Sequence, residues 1–111
     1  MNFRKRMFGA LAIAYVVSLT ANADECRLPP APSKIPDGQT ASEREMLTAM
    51  DTMKQYTADV DTYLNCLDYK RRQNQLTEKD ETRQHNDAID IAKKVANKFN
   101  EQVRTYKSKS G

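Results

Sequence analysis

Glycine is scarce in this 111-residue chain. There are three, and only Gly38 and Gly111 follow residue 23. No Gly-rich loop is therefore present to cradle a phosphate. Histidine occurs once, at His85, so no second imidazole can complete a metal site, and no Ser/His/Asp spacing surrounds it. Cysteine occurs twice, at Cys26 and Cys66. A pair that far apart is neither a Cys-x-x-Cys redox motif nor a zinc site, and Cys-x-x-Cys-His for haem is missing. The paired acids (Asp59 with Asp61, and Glu78 with Asp80 and Glu81) lack the glycine turn and distal Glu of a calcium loop. Long apolar runs are missing too. The longest, Met7 to Leu19, has 13 residues, short of the ~20 that span a bilayer as a helix.

What is present begins with an export signal. Arg4, Lys5 and Arg6 precede the apolar run, and Ala21-Asn22-Ala23 follows it with small residues where a signal peptidase needs them. Residues 1–23 therefore read as a secretory signal peptide cleaved between Ala23 and Asp24. The alternative is an uncleaved N-terminal anchor. Ala23-Asp24-Glu25 before Cys26 is no lipoprotein site, and Lys5 interrupts any twin-Arg pair. The leader carries three of the 18 basic residues and none of the 15 acidic ones, so the mature chain has 15 of each. That balance excludes a charge-driven nucleic-acid binder and argues against a helix resting on an acidic membrane. The expected place is the periplasm or the medium, with no stable membrane insertion after cleavage.

The 88 mature residues suffice for one small domain. Residues 24–41 hold all four prolines (Pro29, Pro30, Pro32, Pro36) and a Pro-Asp-Gly turn signal at 36–38, which predicts an extended, polyproline-like segment. From Ser42 to Lys107 there is neither proline nor glycine. Ser42-Glu43-Arg44-Glu45 fits a capping box. A stripe follows at alternating spacings of four and three: Met46, Met50, Met53, Thr57, Val60, Leu64, Leu67, flanked by Ala49, Tyr56 and Tyr63. After the polar stretch 70–75, Thr77 starts a second helix whose stripe is His85, Ile89, Ala92, Ala96, Phe99, Val103, Tyr106, flanked by Ala88 and Val95. The expected fold is all-α: an antiparallel, coiled-coil-like hairpin over 42–107, with helices about 42–73 and 78–107 and a disordered tail at 108–111. One continuous helix is the alternative. A turn centred near Asn74–Leu76 would set Met53 against Phe99, Val60 against Ile91–Ala92, and Leu67 against His85.

Two cysteines in an oxidising compartment favour a disulfide, within the chain or between two chains, over free or metal-binding thiols. Cys66 falls about 36 Å along the first helix, and the 16 residues from Cys26 to Ala41 reach about 50 Å as polyproline. The segment can thus run back along the helix as a strap pinned near the hairpin tip, with Leu28 and Ile35 packing beneath it. Closing this loop would stabilise by about 4 kcal/mol on the chain-entropy estimate, which matters for so thin a core. Dimerisation into four helices is another way to cover the seam.

These residues occur in a suggestive order. Cys26-x-x-Pro29, Pro32 and Pro36-Asp37-Gly38 are followed by the Ser-capped helix with Met46, then by Tyr63-Leu64-x-Cys66-Leu67. Phe99-Asn100-x-Gln102-Val103-Arg104-x-Tyr106-Lys107 comes last. With the leader, this resembles a family of small exported proteobacterial proteins, mostly of unknown function. The resemblance implies a periplasmic helical protein and no established activity.

The expected function is non-enzymatic: an adaptor or chaperone-like module contacting an unknown periplasmic protein, or a second copy of itself. No catalytic residue and no cofactor is expected. The tyrosine flank (Tyr56, Tyr63, Tyr69) is the candidate contact surface, because exposed tyrosines favour interfaces. The rival is soft-metal binding. Met46, Met50 and Met53 share one helical face, and thioethers suit Cu(I), although the same spacing serves a core stripe.

Overall fold

The computed structural model describes residues 25–110. The leader and its cleavage point lie outside the described residues. Two helices, α1 (Glu43–Arg72) and α2 (Glu78–Ser110), pack against each other as a hairpin, and there is no strand among the described residues.

Both ends of the hairpin are closed by local chemistry. Ser42 accepts from the Glu45 N–H at 3.1 Å while Glu45 accepts from the Ser42 N–H at 2.8 Å, so the predicted capping box is formed. At the tip, Asn74 adopts φ 61°, a left-handed conformation that asparagine tolerates. The Gln75 N–H then donates to the Lys70 carbonyl and the Asn74 N–H to the Arg71 carbonyl, a Schellman closure of α1. Thr77 restarts the helix by accepting the Asp80 N–H at 3.0 Å. Arg71 bridges the turn to Glu81 at 2.7 Å and also pairs with Asp68, as does Arg72. Arg71 and Arg72 are thus occupied by carboxylates, and the Arg71 hydrogen bond holds the Asp68 carboxyl below its ordinary range.

The core is a line of small clusters between the helices. Tyr56, Val60 and Val95 form one, with Met53, Leu64, Ile91 and Ala92 packed around them. Tyr63, Leu67 and Ala88 form the next, with Leu64 and Leu76. Val60 therefore meets the Ile91–Ala92 level expected of it, but two expectations change. Leu67 packs on Ala88 rather than His85, and His85 is exposed. The centre of each helix face is rotated by one stripe. On α1 the buried line runs Met46, Tyr56, Val60, Tyr63, Leu67, while Met50 and Thr57 are exposed. On α2 it runs Ala88, Val95, Phe99, with Ala96 and Val103 only half-buried. The flank residues Tyr56, Tyr63, Ala88 and Val95 join Met46, Val60, Leu67 and Phe99 of the stripes in the core.

The strap supplies the reason. Cys26 is bonded to Cys66 with Cα atoms 5.6 Å apart, and the chain runs back toward the start of α1 in the groove between the helices. Ile35 packs on the Tyr56–Val60–Val95 cluster and Cys26 on the Tyr63–Leu67–Ala88 cluster. Ala31, Pro32 and Ser33 face Ile91, Val95 and Lys98 on one side and Thr52, Gln55 and Tyr56 on the other. The third layer draws the tyrosine flank inside. Leu28, expected to pack, is instead exposed.

Where the strap ends, it is clasped to the far end of α2. The Asp37 side chain accepts the Gln39 N–H at 2.9 Å, and its carbonyl accepts from Thr40 and Ala41, a tight Asx turn. The turn presses Gly38 onto α2. A Cβ there would overlap the Gln102 carbonyl oxygen and sit 2.9 Å from the Tyr106 nitrogen. Glycine is needed for this close approach. The Gly38 N–H donates to Gln102 Oε1 at 2.7 Å, and Lys109 Nζ donates to the carbonyls of Gln39 and Ala41, both at 3.0 Å. Lys109 belongs to the segment expected to be a disordered tail. Instead α2 continues to Ser110, and its last turn holds the strap.

Candidate contact surface

The three tyrosines of the candidate surface separate. Tyr69 is 56% exposed, but Tyr56 and Tyr63 are 5% and 7% exposed. Burial pushes both phenols above their ordinary pKa, and at Tyr63 the charge of Asp87 adds to the effect. The Tyr63 hydroxyl donates to Gln84 Oε1 at 3.3 Å. These two rings bind the hairpin together from inside and are not available to a partner. The expectation of three exposed tyrosines is therefore corrected: only Tyr69, on the outer side of α1, is exposed among them.

The three methionines separate as well. Met46 is buried, Met53 is half-buried against the core, and Met50 is 41% exposed. Their shared face is divided between core and surface. Among the described residues no group of three or more His, Cys, Asp or Glu is placed to hold a metal ion. His85 is exposed, and both cysteines are in the disulfide.

What the fold does create is an asymmetry between its two edges. The strap covers one edge of the hairpin. The other edge carries Met50, Thr57 and Leu64 from α1 and Ile89, Ala96 and Val103 from α2, at seven-residue intervals, and none of these six is fully buried. This edge is made from the very residues whose spacing reads as the seam. It is apolar at its centre, where Glu43 begins the α1 stripe one heptad before Met50; its rims are Leu47, Lys54, Asp61 and Asp68 on α1 and Lys93, Asn100 and Lys107 on α2, polar except for the exposed Leu47. Among the described residues no segment lies over it as the strap lies over the tyrosines. Two neighbouring stripes on each helix both satisfy a heptad. Periodicity alone offers no means of telling which is the core and which the uncovered edge.

Gln102, Gly38 and Lys109 are the functional positions of the strap that sequence reasoning passes over. Only the Pro-Asp-Gly turn signal marks the place, and it does not report a contact made with residues more than sixty positions away.

Among the described residues no helix is long and apolar enough to cross a membrane. No protein family model matches the chain, and no curated protein or solved structure matches it.

Proposed function

We propose that this is an exported, non-enzymatic contact protein of the periplasm, an adaptor or chaperone-like module that engages another protein through the edge opposite its strap. One observation carries the reading. A hairpin sealed by a strap on one side keeps a continuous half-exposed apolar stripe, Met50–Thr57–Leu64 with Ile89–Ala96–Val103, on the other. Apolar stripes of this length with polar rims are what helical partners bind. The disulfide supports the oxidising compartment, and the leader supplies the route to it.

Photo-crosslinking in cells tests this. A photoreactive residue at Thr57 or Ala96 should capture a defined periplasmic protein. One at Ala58 or Asn97, on the outer faces, should capture none. Equal capture from all four positions, or mature protein found only in the cytoplasm, would contradict the proposal.

A further inference from the structure

We infer that the partner at the uncovered edge is a second copy of this chain, joined by a twofold axis running along the hairpin so that α1 of each copy faces α2 of the other. The inference rests on the contact reading above and names its partner.

The first support is the distribution of charge. The Arg71–Glu81 bridge at the tip and the Lys109–Ala41 contact at the open end set the level of the two helices. At that register Glu43 stands level with Lys107, and Asp61 with Lys93. On the uncovered edge two acids of α1 therefore stand at the heights of two bases of α2, and the one base of the α1 rim, Lys54, stands level with the neutral Asn100. Among the described residues none of these four side chains is in an ion pair within the chain. A twofold along the hairpin places each α1 over the partner's α2 at equal height. Glu43 then meets a lysine at 107, and Asp61 meets a lysine at 93, twice each. A twofold across the hairpin would instead set Lys93 close to its own copy, which like-charge repulsion disfavours.

The second support is the apolar match. The same register puts Leu64 level with Ile89, Thr57 with Ala96, and Met50 with Val103. Large faces large at Leu64–Ile89 and Met50–Val103, and small faces small at Thr57–Ala96, so the helices of the four-helix core come closest at its middle layer. A face about 45 Å long and two helices wide offers roughly 800 Å² per partner, the size of a standard stable interface. The mature chain's equal counts of acid and base leave no net repulsion between copies.

Charge reversal tests the arrangement. The mature protein, sedimented from about 1 to 100 μM, should be dimeric over the upper part of that range. D61K and K93E should each weaken dimerisation about tenfold, and the double variant D61K/K93E should recover it to within a few-fold of the native chain. Far-ultraviolet circular dichroism and an intact disulfide identify variants that still fold, and a Met50→Lys variant, which buries a charge in the apolar centre of the interface, should stay monomeric. A native chain that is monomeric throughout overturns the inference. So does a dimer indifferent to D61K, or a double variant weaker than both singles. If the chain is monomeric while Thr57 and Ala96 still capture a different protein in cells, the self-association falls and the contact reading stands.

Discussion

Gly38 shows how much one residue can determine. It sits in the Asx turn at the end of the strap with no room for a Cβ against the α2 backbone. Its N–H is one of three hydrogen bonds that fasten the turn to the last turns of α2. Gly38→Ala must push the turn off α2 or displace the helix end. We expect a loss of about 1–3 kcal/mol, read as a fall of roughly 4–20 °C in melting temperature. Gln102→Leu keeps the space but leaves the buried N–H without its acceptor, which should cost about 1–3 kcal/mol. Tyr56 and Tyr63 make a second residue-scale prediction. Their folded pKa values are raised, so the stabilisation they give is complete below about pH 10 and is lost as pH rises and the unfolded chain ionises first. Urea midpoints measured at rising alkaline pH should fall, and should fall less steeply in Tyr56→Phe and Tyr63→Phe. A spectrophotometric titration should show each of these variants losing a late-ionising phenol. Neither glycine nor tyrosine announces its role in the sequence. A tyrosine at seven-residue spacing beside a seam is equally a rim residue or a core residue, and only a covering layer decides between them.

At the scale of elements, the hairpin and the strap were legible to different degrees. The capping box at Ser42, the restart at Thr77 and the proline-free stretch are local signals, and α1 and α2 follow them within a few residues. The strap was legible as a length: sixteen residues of polyproline can reach from Cys66 back to Ser42. Its lateral position was not. That depends on Ile35 and Cys26 packing over the tyrosine edge, a three-body contact that no single-helix periodicity contains. The end of α2 extends past its sequence-predicted limit for a similar reason. Lys107 to Ser110 looks like a fraying cationic tail, yet Lys109 is held by two carbonyls of the strap and lies 4.9 Å over the Tyr106 ring. The disulfide joins these elements across 40 residues of sequence. Replacing both cysteines, as Cys26→Ser with Cys66→Ser, should lower stability by about 4 kcal/mol on the loop-entropy estimate. Hydrogen exchange should then rise in 25–41, while the outward face of α1 keeps its protection. An unchanged melting temperature would mean that the strap is held by Ile35 and the Gly38 clasp alone.

Over the whole molecule, the strap makes two equivalent edges unequal. Without it, the hairpin would expose apolar residues on both sides of its seam. With it, one side becomes interior and the other stays open, the side that we propose for contact. On the proposed reading, export permits the bridge that holds the strap, so the leader and the contact face belong to one account. Oxidative footprinting of side chains tests that account most directly, comparing the purified, dilute protein with the protein in the periplasm of intact cells. In the purified protein Met50 and Tyr69 should react quickly, while Met46, Tyr56 and Tyr63 stay protected beneath the helices and strap. In cells Met50 alone should become protected, with Tyr69 still reactive. Tyr56 and Tyr63 reacting as fast as Tyr69, or Met50 reacting equally in both settings, would contradict it.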